Sequence, residues 1–174
     1  MIFSSLIAAF APGARGQEVA SDAQVKAAFM VNFAKFLEWP SDAFSGRDAP
    51  LTLCVTGRGP VGAALSAYER RLVQSRELRV RRSVTPEELR GCHMVYVGEF
   101  EERHMLQILR AAAGLPLVTV SDIDGFADAG GTIGLVEAGQ RVQFEVNVAS
   151  AQRANVRVSS QLLRLARNTR GKLQ

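Results

Sequence analysis

Gly57-Arg-Gly59-Pro-Val-Gly62 spells G-x-G-x-x-G between a run that reads as a strand and one that reads as a helix. In that context glycines let a pyrophosphate approach the backbone N–H groups at a helix start, which is dinucleotide-binding chemistry. The surroundings argue against it. Arg79, Arg81 and Arg82 stand where an acid would hold the ribose, and Pro60 removes one backbone donor from the loop. A tight strand-to-helix turn needs glycines in any case. The two histidines, His93 and His104, have no partner at ligand spacing, and Cys92 and His93 would point to opposite faces of a strand. Asp122-Ile-Asp124-Gly125 begins like a calcium loop but lacks the later ligands, so it reads as a turn or cap. No G-x-S-x-G elbow or paired-carboxylate set occurs. The chain is therefore read as a non-enzyme, with no catalytic residue, no cofactor and no metal.

Cys54 and Cys92 are the whole cysteine complement. Each lies in a strand-like run, Leu51-Thr-Leu-Cys-Val-Thr and Cys92-His-Met-Val-Tyr-Val. In a reducing compartment they are two buried thiols, and in an oxidising one an even count on neighbouring strands points to a disulfide. The first residues bear on that choice. Ile2–Ala11 is an apolar run far short of the ~20 residues that span a bilayer. Ala14 and Gly16 then stand at −3 and −1 of a cleavage before Gln17. This reads as a secretory signal peptide over residues 1–16, without the usual basic residues ahead of the apolar run. Export to the periplasm is expected, with residues 17–174 as one domain and no membrane insertion.

The elements that must hold these residues follow from pattern. Ser21-Asp-Ala-Gln24 is a capping box opening a helix that runs to about Glu38 and stops at Pro40. Gln24, Asn32, Lys35 and Glu38 form its one polar stripe, and the rest of its surface is apolar. Either the helix is deeply buried, or the flank with Phe33, Leu37 and Trp39 faces a partner. Next come a strand at Leu51–Thr56, a helix at Pro60–Val73 and a strand at Leu78–Ser83. Thr85-Pro-Glu-Glu88 is a second capping box. A strand at Met94–Val97, a helix at Glu101–Ala113 and a strand at Leu117–Ser121 complete the alternation. Two extended runs near Gly131–Glu137 and Arg141–Val148 are joined by a hairpin signal, and Ser159 caps a last helix. The expected fold is α/β, a single three-layer domain whose mainly parallel sheet is flanked by helices and ends in a C-terminal antiparallel hairpin. In the last strand Val142, Phe144, Val146 and Val148 alternate with Arg141, Gln143, Glu145 and Asn147, so one face is buried and the other is available.

At 174 residues, with 47% hydrophobic and 22% charged content, the chain has the composition of one globular domain. The formal charge of +4 comes from scattered arginines. Without a continuous basic stripe, nucleic acid is not the expected partner.

Three segments resemble a known family. They are Val25-Lys-Ala-Ala-Phe-Met-Val-Asn-Phe-Ala-Lys-Phe-Leu-Glu-Trp-Pro40, Gly134-Leu-Val-Glu-Ala-Gly-Gln-Arg-Val-Gln-Phe-Glu-Val-Asn147 and Ser159-Ser-Gln-Leu-Leu-Arg-Leu-Ala166. With the strand-borne Cys54 and Cys92, this pattern is similar to the YfiR/HmsC-like periplasmic proteins. The resemblance implies a homodimeric, non-enzymatic repressor that holds the periplasmic sensor domain of an inner-membrane diguanylate cyclase inactive. Its release would raise cyclic-di-GMP and favour biofilm. Family members can carry a second cysteine pair near the hairpin, and this chain has none there. The Cys54–Cys92 pair would then be structural rather than a redox sensor.

Two surfaces are candidates for the partner. One is the flank with Phe33, Leu37 and Trp39, and the other is the polar face assigned to Glu137, Arg141, Glu145 and Asn147. An apolar patch rimmed by charge is ordinary interface anatomy. Two rival classes remain: a periplasmic small-molecule sensor with a pocket near the strand C-termini and Gly57–Gly62, and a nucleotide-dependent enzyme using that same turn.

Overall fold

A reciprocal cap opens the first helix: Gln24 N–H donates to Ser21 Oγ (3.3 Å) and Ser21 N–H donates to Gln24 Oε1 (2.7 Å). Two backbone donors that a helix start leaves unpaired are satisfied this way. The chain is seen here as a computed structural model that describes residues 20–139 and 141–171. The leader expected at residues 1–16 lies outside them. Helix α1 is Asp22–Ala34, ending earlier than the expected Glu38. Leu37–Glu38 instead form a short strand, β1, paired antiparallel with Arg157–Val158. Trp39 precedes Pro40, a position that disfavours helical backbone, and the chain is already extended when it arrives there.

The remaining elements are β2 (Leu51–Thr56), α2 (Pro60–Leu65), β3 (Leu72–Val73), β4 (Arg76–Val84), β5 (Met94–Val97), α3 (Met105–Ala112) and β6 (Val118–Ser121). The C-terminal part adds β7 (Ile133–Ala138), β8 (Arg141–Asn147), α4 (Val148–Arg153), β9 (Arg157–Val158), α5 (Ser160–Leu165) and β10 (Asn168–Arg170). One sheet runs in the order β10-β8-β7-β6-β5-β2-β4-β3. Strands β4, β2, β5, β6 and β7 are mutually parallel, and β8 returns antiparallel to β7. The mainly parallel sheet with a C-terminal antiparallel hairpin is therefore as expected.

From β2 the chain crosses through α2 to β4 on one side, then returns to β5 on the other. Strand order thus reverses between β2 and β5. Such a switch point opens a crevice at the strand C-termini.

Strand β2 shows how the layers form. Leu51, Leu53 and Val55 enter a large core with Met30, Phe33 and Ala34 of α1 and Val61 and Leu65 of α2. Cys54, one step out of phase, joins a second core on the opposite face with Val95, Val97 and Ile108 of α3. The disulfide joins Cys54 to Cys92, which lies in the turn before β5, with their Cα atoms 5.9 Å apart.

The helix expected over Pro60–Val73 is broken. After Leu65 come a 3-10 turn at Ser66–Tyr68 and the edge strand β3, which turns back into β4 through Gln74 and Ser75. Both have positive φ, 51° and 67°, as a two-residue hairpin turn of this hand requires. Glycine usually fills such positions. Here the Gln74 amide donates to the carbonyls of Ala34 (3.0 Å) and Leu37 (2.9 Å), closing the end of α1. The segment after Thr85 is likewise only a 3-10 turn, Pro86–Leu89, although Thr85 N–H does donate to Glu88 Oε2 at 2.8 Å.

Candidate functional site

Phe33 and Leu37 belong to the interior. Phe33 is 1% exposed and Leu37 0%. The Phe33 ring packs on Phe29 of the same helix and edge-on to Phe144 of β8, with centroids 5.5 and 4.9 Å apart. The apolar surface of α1 is thus covered by the sheet, α2 and the C-terminal elements. Gln24, Asn32, Lys35 and Glu38 are exposed, as the polar stripe requires. Trp39 alone of the three flank residues reaches the surface. It is half-buried, its indole N–H donating to the His93 carbonyl at 3.1 Å and its ring standing edge-on to the imidazole.

Register separates the hairpin residues. Glu137 lies opposite Val142 and Ala138 opposite Arg141. Directly paired side chains share a face, so Glu137 projects on the α1 side with Val142 and Phe144, whereas Arg141, Glu145 and Asn147 project on the other. The single polar face assigned from sequence is therefore two faces. Glu145 and Asn147 are half-buried and engaged within the protein. Glu145 accepts from Arg170 at 3.1 Å, and Arg170 also pairs with Asp128. Asn147 Oδ1 accepts from Ser150 N–H at 3.0 Å, capping α4, while its amide donates to Ala127 O at 2.8 Å. Glu137 and Arg141 remain exposed near the turn.

At the C-termini of β2, β5 and β6 lies an ion triad that the sequence reading passed over. Lys26 Nζ is 2.6 Å from Asp22 Oδ2 and 2.5 Å from Asp122 Oδ2. Burial disfavours the ammonium, but the hydrogen bonds and charges of Asp122 and Asp22 outweigh it and hold the amine above its ordinary 10.5. Asp122 Oδ1 is buried without a donor among the described residues, a state that costs about 1–3 kcal/mol. A signal for the triad was present: Lys26 lies on the buried stripe with Ala23, Ala27, Met30 and Ala34, where a lysine demands an anionic partner. Lys26 and Asp122 line a cleft of about 370 Å³ whose wall includes Leu135, Glu137 and Val142.

Two glycines of G-x-G-x-x-G, Gly57 and Gly62, make room for side chains of the protein itself, while Gly59 faces open space. Gly57 has φ +64°, and a Cβ there would fall 2.3 Å from Glu101 Oε1. At Gly62 a Cβ would come within 3.3 Å of the Arg82 stem. The helix that follows, α2, is only Pro60–Leu65. Asp122, the first acid of the calcium-like run, is committed to Lys26.

His93 is wedged in the interior. Its Nδ1 accepts from Thr52 N–H at 3.0 Å, so Nε2 carries the proton toward Ala43 O at 3.1 Å. Its ring stacks on Phe44 at 4.3 Å, and the Arg76 guanidinium covers the other side of Phe44 at 3.7 Å. Desolvation, reinforced by the Arg76 charge, holds its pKa below the ordinary 6.5 despite the Ala43 carbonyl. Among the described residues no three His, Cys, Asp or Glu side chains converge as a metal site, and no helix is long and apolar enough to cross a membrane.

Comparison with known proteins places this geometry in context. A family model described as YfiR/HmsC-like matches residues 23–167, from the first turn of α1 to just beyond α5. A solved structure of a conserved domain protein from Vibrio cholerae O1 biovar eltor superposes with a TM-score of 0.52 at 8% sequence identity. That match covers 86% of this chain and 60% of the other, a likeness of fold alone.

Proposed function

The chain belongs to the YfiR/HmsC-like family, whose members are periplasmic regulators, and from that premise we propose that it binds and represses the sensor domain of an inner-membrane diguanylate cyclase. The observation that carries this reading is the family match over residues 23–167, α1 through α5. In this account the protein has no catalytic role of its own. It acts by occupancy, lowering cyclic-di-GMP output and biofilm formation while bound, and it works as a homodimer.

The contact surface is assigned to the residues that remain accessible. Trp39 presents an amphipathic ring at the surface, and Arg141 and Glu137 offer opposite charges near the hairpin turn. Tryptophan and arginine carry a disproportionate share of interface energy. Phe33 and Leu37 act from below, holding the segment that carries Trp39, and Glu145 and Asn147 hold the hairpin to β10 and α4.

Direct binding of the purified protein to isolated periplasmic sensor domains tests the proposal. Saturable binding that Trp39→Ala weakens at least tenfold is the expected result. Failure to bind any such domain, with the protein folded and its disulfide formed, would overturn it.

A further inference from the structure

We propose that the crevice at the β2/β5 switch point binds a small molecule that joins an anionic head, phosphoryl or carboxylate, to a flat ring. The head would sit in a hollow built by an irregularity in the sheet. Cys54 pairs with Arg81 and Thr56 with Val84, so Arg82 and Ser83 together oppose Val55. Ser83 takes φ +55°, the left-handed backbone of a residue pushed out of its ladder. Bulges of this kind re-aim side chains, and this one lays the Arg82 stem across Gly62. Arg58 enters the same hollow from the loop after β2. The space is about 540 Å³ and is lined also by the backbone of Gly57 and Gly59.

Neither guanidinium has an acidic partner among the described residues, whereas Arg81, Arg157 and Arg170 are all ion-paired. The carboxylate of Glu101 rests against Gly57 and hydrogen-bonds His104 Nδ1 at 3.1 Å. Two unpaired guanidinium groups lining one concavity form a receptor for an oxyanion, which arginine binds through paired N–H donors.

The ring would lie around the corner. Across Arg58 and Gly59 the hollow runs into a narrower cleft of about 170 Å³, walled on its apolar side by Pro60, Val61, Tyr96 and Phe100. It is lined also by Glu101 and the Lys26–Asp22–Asp122 triad, whose carboxylates confine the anionic head to the arginine side. Phe100 is 73% exposed, an aromatic face standing at the lip of an apolar slot beside a cationic one. Ligands of open parallel sheets bind in this position, outside the strand C-termini where the order reverses. Such a ligand would touch the loop after β2 and the segment after β5 together, and so could couple their positions. The inference is independent of the cyclase partner.

The test follows backbone amide NMR shifts as phenyl phosphate, benzoate and inorganic phosphate are titrated into the full chain. Phenyl phosphate, or benzoate if the head is a carboxylate, is expected to bind at least tenfold more tightly than inorganic phosphate, with shifts centred on residues 57–62, 82–83 and 98–101. Arg82→Gln and Arg58→Gln should each weaken binding at least tenfold, and Phe100→Ala should remove only the advantage of the ring. Arg79→Gln, at an arginine of β4 that lies outside the hollow and has no ion pair among the described residues, should change nothing. Unchanged Trp39 fluorescence shows that each variant is folded, and either arginine variant suffices if the other is not. Binding that is equal for all three anions, or insensitive to Arg58 and Arg82, would overturn the proposal.

Discussion

The rings of Phe33 and Phe144 meet edge-on with centroids 4.9 Å apart, so the first helix is fastened to the second strand of the C-terminal hairpin. The two residues are far apart in sequence, and their contact closes the core across the sheet. Truncating Phe33 to alanine should lower unfolding free energy by about 3–5 kcal/mol. A double-mutant cycle with Phe144→Ala in urea should show a coupling of about 0.5–1.5 kcal/mol. Strict additivity would mean the rings do not share one packing site.

The disulfide closes a loop of sequence separation 38 between residues that are both buried. Constraining the unfolded chain by a loop of that length is worth about 4 kcal/mol in the chain-entropy model. The double variant Cys54→Ala, Cys92→Ala should therefore unfold at a clearly lower denaturant midpoint. In the native protein the bridge should resist dithiothreitol until the chain unfolds. Free thiols appearing within minutes under native conditions would show a bridge that is accessible and available for redox control.

His93 sets an acid limit on stability. Its folded pKa lies below the unfolded 6.5, because desolvation and the Arg76 charge disfavour the cation. The unfolded chain then binds the proton more readily, so this contribution is full above pH 6.5 and is lost as pH falls through the folded value. Protonation would also break the bond that Nδ1 accepts from Thr52. The denaturation midpoint should fall between pH 7 and pH 5, and His93→Gln should flatten that slope. Trp39, the chain's single tryptophan, stands edge-on to the imidazole and should report the same transition by fluorescence. An unchanged slope in His93→Gln would assign the acid sensitivity to other groups.

Asn147 and Arg141 should separate stability from recognition. Asn147 caps α4, and its replacement by alanine should cost about 1 kcal/mol with no loss of partner affinity once the protein is folded. Arg141 is exposed and carries no ion pair among the described residues, so Arg141→Glu should leave stability within about 0.5 kcal/mol. If it takes part in recognition, the same change should slow association with the sensor domain and alter its salt dependence. Calorimetric melting and surface-binding kinetics on the two variants give both readings.

Where local pattern and tertiary packing agree, the sequence was informative. The Ser21–Gln24 capping box, the strand at Met94–Val97 and the hairpin around Gly139 all stand as read. Their signals are short-range: a cap four residues long, an apolar run, a turn glycine. The misreadings lie where a distant partner decides. Leu37 leaves its helix to pair with Val158, and Gln74 adopts a left-handed turn held by carbonyls from α1. Glu137 was grouped with Arg141 because alternation along one strand says nothing about register across the hairpin. The Lys26–Asp122 pair spans 96 positions, and only the odd placement of a lysine on an apolar stripe announced it. Arg58, Arg82 and Phe100 converge through a bulge and a crossover, neither of which has a one-dimensional signature.

The central claim is repression of a membrane cyclase, and cellular cyclic-di-GMP measures it most directly. The measurement is made in a strain lacking this protein, and again with each inner-membrane diguanylate cyclase that has a periplasmic sensor domain also removed. The account predicts a rise on deletion that disappears when one particular cyclase is lost as well. Levels that stay at wild type on deletion across growth conditions, or a rise that persists whichever cyclase is removed, would contradict it.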